Sequence, residues 1–187
     1  MGVVRYRAAE AADAEGVALL HADSWRRHYR GAYADAYLDG DVVADRLAVW
    51  GDGRLEAAEE RVTVVAESPD GEGGGLVGFV HVVFDEDPRW GSLIDNLHVS
   101  NASRRTGVGG ELMFRAARAV DERAAGRAVY LWVLEQNTAA QGFYRALGAK
   151  HVETVLVGPP GGVPERLCGA PRKFRMAWED VGDVRKG

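Results

Sequence analysis

One cysteine, Cys168, is all that the 187 residues contain, which excludes an internal disulfide framework and suits a reducing compartment. No run approaches the roughly 18 apolar residues of a membrane-spanning helix, and the opening Met1-Gly-Val-Val-Arg-Tyr-Arg lacks an apolar stretch of signal length. A cytoplasmic protein without a membrane partner is expected. Positive charge is also in short supply: 23 Lys and Arg against 28 Asp and Glu give a net charge of −5. That balance argues against nucleic acid as a partner, while cationic acceptors stay compatible. No segment repeats at a fixed period, and no Gly-x-x-x-x-Gly-Lys-Ser/Thr phosphate loop is present. His21 and His28 lie seven apart on one helix face, but no third ligand follows at a metal-site spacing, so no metal is expected. Cys168 has no histidine or acid partner suggested nearby, which disfavours an acyl-enzyme on its sulfur.

What is present fits one domain over residues 1–187, with a core from about 3 to 179 and a charged tail over 180–187. Hydrophobic residues make up 47% of the chain, enough for a real core. The periodicities predict a strand at 3–7, an alanine-rich helix over 11–29, and a second helix over 33–50 after the Arg30-Gly31 break. Strands at 61–67 and 76–84 flank a hairpin turn, Asp70-Gly71-Glu72-Gly73-Gly74-Gly75. Further strands are predicted at 93–99, 128–134, 150–158 and 172–178, with helices from 111 to 124 and from Thr138 to Gly148. This order is that of an α/β (α+β) layered fold, a mixed central β-sheet flanked by helices. The Pro159-Pro160-Gly161-Gly162-Val163-Pro164 segment opens a long loop that either covers a pocket or is an ordinary surface connection.

The most informative stretch is Arg104-Arg105-Thr106-Gly107-Val108-Gly109-Gly110, between a strand and a helix. Glycines there let backbone N–H groups approach an anion, and the helix they open adds unpaired donors and the positive end of its dipole. A dinucleotide fingerprint fits less well, since it needs glycine where Leu112 stands and a turn directly after its strand. Downstream, Asn137 is placed to cap a helix that ends at Gly148. Seven residues, close to two turns, separate Asn137 from Tyr144 and put both on one side of it, with Phe143 and Leu147 as the buried stripe.

Arg-x-x-Gly-x-Gly at 104–109 followed by Asn-x-x-Ala-x-x-Phe-Tyr-x-x-x-Gly at 137–148 resembles the GNAT superfamily of N-acetyltransferases. The likeness is sharpest from Leu93 to Ala149. It implies acetyl-CoA as co-substrate, with no metal, and leaves the acceptor open. It places the diphosphate on Arg104, Arg105, Thr106, Gly107, Val108, Gly109 and Gly110, and the pantetheine arm along Leu97, His98 and Val99 as if it were another strand. The same strand would offer an N–H to the carbonyl oxygen, and Asn137 would touch the arm. Tyr144 falls at the position of a general acid: a phenol, pKa about 10, can protonate a departing thiolate.

An amine acceptor must also lose a proton before it attacks. Here the sequence departs from the family: Leu93 and Trp132 stand where histone-modifying and N-terminus-modifying members carry a glutamate. Both departures turn the expectation toward a small-molecule amine. Asp95 is the nearest substitute base, sharing strand parity with Leu93, Leu97 and Val99, and burial there would raise its pKa. His98, Glu135, and a water chain without a dedicated side chain are the alternatives. Trp25, Tyr29 and Tyr33, bunched at a helix junction, either wall the acceptor pocket or anchor the helix to the core. Two functions from different classes follow: an N-acetyltransferase, or an acyl-CoA-binding domain that senses its ligand without turnover. Proteins of this type commonly form homodimers, and Trp90 is a candidate interface aromatic.

Overall fold

The structure, a computed structural model, describes residues 3–69 and 75–184. Seven strands form one sheet: β1 (Arg5–Ala8), β2 (Arg61–Glu67), β3 (Leu76–Asp87), β4 (Gly91–Val99), β5 (Val129–Leu134), β6 (Lys150–Leu156) and β7 (Arg172–Trp178). Their spatial order is β1-β2-β3-β4-β5-β7-β6. Every neighbouring pair is antiparallel except β4 with β5. The sheet is therefore mixed, as expected. Most of the 70–75 turn between β2 and β3 lies outside the described residues.

Helices flank it. A 3₁₀ turn (Ala11–Asp13) runs into α1 (Ala14–His28). The single helix expected over 33–50 is two, α2 (Asp35–Asp39) and α3 (Val42–Gly51), because Gly40-Asp41 interrupts it with two poor helix formers. The helix α4 (Val108–Arg123) starts three residues earlier than expected and α5 is Thr138–Ala146. Buried Val108, Leu112, Met113, Ala116, Ala117 and Val120 recur at helical spacing down one side of α4, which packs them against the sheet together with Tyr144 and Leu147 from the α5 segment. A separate cluster seats Val17, Ala18 and Leu20 of α1 and Trp50 of α3 on Val65 and Phe79 of the sheet. No helix among the described residues is long and apolar enough to cross a membrane.

Two peripheral expectations change. The segment after 179 does not fray at once: Val181 and Val184 are buried in the main core, and Asp180 is clamped by Arg127 at 2.8 Å, so ordered packing reaches 184. Trp90 is half-buried rather than freely exposed, with the guanidinium groups of Arg89 and Arg175 at 4.6 and 5.5 Å from its ring centroid.

The feature that positions the site is the junction of β4 and β5. Their parallel ladder has only three residue pairs, Ser92 with Val129, Leu93 with Tyr130 and Ile94 with Leu131, and then stops. Gly91 sets up this contact: its φ is +76°, and Ser92 N–H donates to the Ala128 carbonyl at 3.0 Å. A methyl group at 91 would lie 2.1 Å from that carbonyl oxygen. Gly91→Ala is expected to cost roughly 2–4 kcal/mol, read as a lowered urea midpoint; an unchanged midpoint would mean that this junction yields easily.

Candidate active site

Where β4 and β5 part, a cleft of about 610 Å³ opens, with Asn96–Val99 along one strand and Leu131–Leu134 along the other. Beyond Ile94 the edge of β4 that faces β5 has no ladder partner, so its main-chain groups are available to an extended ligand.

At one end the cleft is lined by Arg104, Arg105, Gly107, Gly109 and Gly110. Gly107, at φ +89°, is the N-cap of α4 and has no side chain to cap it. The first helical bond there is Glu111 N–H to the Gly107 carbonyl, leaving the N–H groups of residues 108–110 without intrahelical acceptors. Neither Arg104 nor Arg105 makes an ion pair among the described residues. Free donors, two guanidinium groups without ion pairs and a helix start are the kinds of group that an anion would take as partners. Two residues of the expected set stand aside: the Thr106 hydroxyl donates to the Ser103 carbonyl at 2.6 Å, and the Val108 side chain is buried in the core. Only their backbone can serve a ligand.

The opposite wall comes from α5. Asn137 accepts from Ala140 N–H at 3.1 Å, as a cap should, and lines the cleft. Buried Gln141 donates to the carbonyls of Leu134 and Glu135, fastening the helix to the end of β5. Tyr144 then faces the cleft from a nearly closed site, its ring near those of Phe143 and Trp178. Burial raises its pKa, so the phenol keeps its proton at neutral pH. Phe143, expected in the buried stripe, is half-buried and lines the cleft instead.

The expected parity of β4 fails at one residue. Ile94 pairs with Val82 and Asn96 with His81, so Asp95 is the extra residue of a β-bulge. The bulge puts Leu93 on the opposite face from Leu97 and Val99 and leaves Asp95 exposed rather than buried. Asp95 lines the cleft and is ion-paired with Arg54 at 2.6 Å. It is the one acidic residue among the described lining residues. Glu135 is outside the cleft, paired with Arg172 at 2.6 Å.

His98 lies across from Phe79, on the face toward α1, and its Nδ1 meets the Ser24 hydroxyl at 2.8 Å. Burial, helped by the charges of His28 and Arg46, lowers its pKa to about 3, so it is neutral and a weak base. Behind it stands His21, ring centroids 4.6 Å apart, whose Nδ1 accepts from the Trp50 indole at 3.0 Å. Burial likewise drives His21 well below the ordinary histidine range.

Trp25 and Tyr29 line the far end of the cleft. Tyr33 does not; it packs behind them, 5.1 Å from Trp25 and 4.9 Å from Tyr29 between ring centroids. The 158–171 loop contributes no lining residue. It is fastened to the 32–34 segment instead, through Ala34 N–H to Arg166 and Cys168 N–H to Ala32. Sequence reasoning missed His21, Ser24, Arg46 and Arg54 as cleft residues. The i, i+3, i+4, i+7 spacing of His21, Ser24, Trp25 and His28 was a readable signal that they share one face of α1, the face that lines the cleft. Arg46 and Arg54 carried none, since only packing brings them there. Among the described residues no three His, Cys, Asp or Glu side chains form a metal-ligand group.

The sequence model of the acetyltransferase (GNAT) family matches residues 17–149. A probable N-acetyltransferase of Mycobacterium tuberculosis is 31% identical over 144 residues, 75% of this chain and 76% of that protein. The PaiA N-acetyltransferase from Thermoplasma acidophilum, solved in complex with coenzyme A, is similar with a TM-score of 0.73 at 16% identity, over 95% of this chain and 99% of that one. YncA, a putative acetyltransferase from Salmonella typhimurium solved with acetyl-CoA, gives a TM-score of 0.64 at 18% identity, over 95% and 94%. At such identities these structures speak for the fold.

The neutral histidines around the cleft predict a pH dependence. His81, buried beside the Thr63 hydroxyl at 2.7 Å, also has its pKa lowered to about 3. Unfolded, such a histidine takes a proton near pH 6.5; folded, it does not until about 3, so the unfolded state binds more protons in between. Stability is therefore full above pH 6.5 and falls on acidification, His81 adding a slope approaching about 1.4 kcal/mol per pH unit. Urea unfolding at pH 7.5 and 5.0 should show this drop, with His21, His81 and His98 imidazole resonances static across that range. A flat stability profile would contradict the assignment.

Proposed function

The chain belongs to the acetyltransferase (GNAT) family, and we propose that it transfers an acetyl group from acetyl-CoA to a primary amine of a small molecule, by direct attack in a ternary complex. The observation that carries this reading is the adjacency of the α4 anion cradle, the unpaired edge of β4 and the Tyr144 phenol in one cleft. These residues fit the donor. Arg104, Arg105 and the N–H groups at the start of α4 hold a diphosphate, and the Leu97–Val99 backbone holds an extended arm. Asn137 contacts that arm while capping α5. Bound there, acetyl-CoA supplies an activated thioester carbonyl.

The chain's own groups then handle charge and protons. A main-chain N–H of β4, fixed in advance, stabilises negative charge developing on the carbonyl oxygen. Tyr144, protonated at neutral pH as a phenol is, delivers its proton to the sulfur as the thiolate leaves. Asp95 is assigned as the base that takes the acceptor's proton, directly or through water, because it is the acid on the cleft wall. His98 is too weakly basic for that task and serves to shape the wall with Ser24. Trp25 and Tyr29 form the acceptor side, with Tyr33 as their support.

The test is release of free CoA thiol from acetyl-CoA in the presence of amines of different classes. Binding of acetyl-CoA with no thiol release for any amine would favour the ligand-sensing alternative. Gly109→Asp places a carboxylate in the cradle, where a side chain at 109 has room beside Phe143, 3.4 Å away. It should abolish acetyl-CoA binding in calorimetry while the fold survives, and undiminished affinity would sink the cradle assignment.

Tyr144→Phe keeps the ring and removes only the hydroxyl. It should bind acetyl-CoA within a few-fold of the parent and lose about 10²–10⁴ in kcat. The loss should shrink with an acyl donor whose leaving group is better. Retention of most of kcat would make Tyr144 a packing residue.

A further inference from the structure

At the acceptor end of the cleft three hydrogen-bond donors have no partner among the described residues, with one oxygen of the Asp95 carboxylate also left free beside them. Arg46, almost wholly buried, lies with its guanidinium 4.2 Å from the centroid of Trp25, and its Nε and Nη2 both donate to one oxygen of Asp45. Its Nη1 makes no hydrogen bond among the described residues. Arg54 donates to Asp95 through Nη2, while its buried Nε has no partner. The third donor is on His21. Because the Trp50 indole N–H donates to Nδ1, the ring must carry its proton on Nε2, and that buried atom is likewise unpartnered. All three residues line the cleft, grouped around Trp25 and Trp50.

Charge runs the same way. In a chain of net charge −5, the cleft wall carries four arginines and one aspartate among the described residues, with Asp45 paired to Arg46 from behind the wall. Arg104 and Arg105 face the diphosphate end, so Arg46 and Arg54 remain for the other. Just behind the wall, the Lys173 ammonium sits 4.5 Å from the Trp132 ring centroid and makes no ion pair among the described residues. A buried donor left unpaired is costly, so these three groups favour a ligand that brings acceptor oxygens. A polyamine or aminoglycoside would bring further N–H donors and like charge.

We infer that the acceptor carries a carboxylate beside its reacting amine, an amino-acid-type substrate whose carboxylate is received by Arg46 and Arg54, with the His21 Nε2–H as a third donor. This rests on the acetyl-transfer reading above. It adds the substrate class: anionic or zwitterionic amines are accepted and polycationic ones are refused. Asp95, held by Arg54, is thereby placed near the ammonium of the same molecule, so one side-chain pair handles both of its charged groups.

The experiment has two arms. Thiol release is measured with a set of α-amino acids, each matched with its carboxamide and its decarboxylated amine, and with spermidine. Independently of turnover, calorimetry measures binding of the corresponding N-acetylamino acids and N-acetylamino amides to the protein with CoA present. The expected result is a preference for the carboxylate member in both arms. In Arg54→Gln and Arg46→Gln its KM or Kd should weaken about 10–100-fold, with KM for acetyl-CoA within a few-fold of the parent. Arg46→Gln leaves Asp45 with Arg166 as its partner at 2.9 Å; if it fails to fold, Arg54→Gln carries the test. Equal or better use of carboxamides or spermidine overturns the inference and leaves acetyl transfer standing. Carboxylate binding that depends on these arginines, without thiol release from any amine, overturns the transfer reading and with it the acceptor role, and leaves a carboxylate-binding site alone. Carboxylate binding that neither variant weakens overturns the inference.

Discussion

Everything in this site depends on two parallel strands that pair for three residues and then separate. A continued ladder would satisfy the backbone of β4 within the sheet and leave no cleft. Separation leaves that edge open to an extended ligand and lets side chains from α1, α4 and α5 converge on one space. Each neighbour contributes to holding the gap. Gly91 allows the close approach at its closed end, Gln141 ties α5 to the last carbonyls of β5, and the bulge at Asp95 bends β4 where pairing ends.

The bulge has a second consequence. One extra residue reverses the side-chain alternation, so Ile94, Leu97 and Val99 share the α4 face while Leu93, Asn96 and His98 share the α1 face. Without it His98 would point toward α4, away from Ser24 and His21. Asp95 itself belongs to neither regular face and emerges beside Arg54. The Asp95 carboxylate at the mouth and the neutral His98 imidazole in the wall are thus outcomes of one irregularity in the ladder.

Trp25 joins two placements that the sequence presented as alternatives, the core and the cleft wall. Trp25 is buried in the cluster with Tyr33, Tyr37 and Leu38 and also lines the cleft. Anchoring to the core is what makes its face rigid enough to carry Arg46 at 4.2 Å. The arginine-rich lining of the cleft sits against an acidic protein as a whole, a contrast created by where four arginines are placed, two of them at this end, and not by composition.

Patterns of short range were legible directly in the chain. Strand and helix periods placed nearly every element, the glycine-rich turn stands directly before α4 as its spacing implied, and Asn137 and Gly148 marked the ends of the α5 segment. Those features are local: a cap, a positive φ and an apolar stripe are each fixed by a few neighbouring residues. The break at Gly40-Asp41 was local too, but its weak helix formers stood inside a plausible helical pattern. What the sequence could not supply were relations across long separations or between strands. The bulge at Asp95 exists only in register with His81 and Val82, so parity counted along one strand misplaced Leu93 and the burial of Asp95. Arg46 and Arg54 reach the cleft because α3 packs on α1, and Tyr33 leaves it because Leu167 and Arg166 bind its segment from far downstream. Local chemistry set which groups the protein has to work with, and tertiary packing decided which of them share one space, because distances between remote segments are fixed by the closure of the whole core.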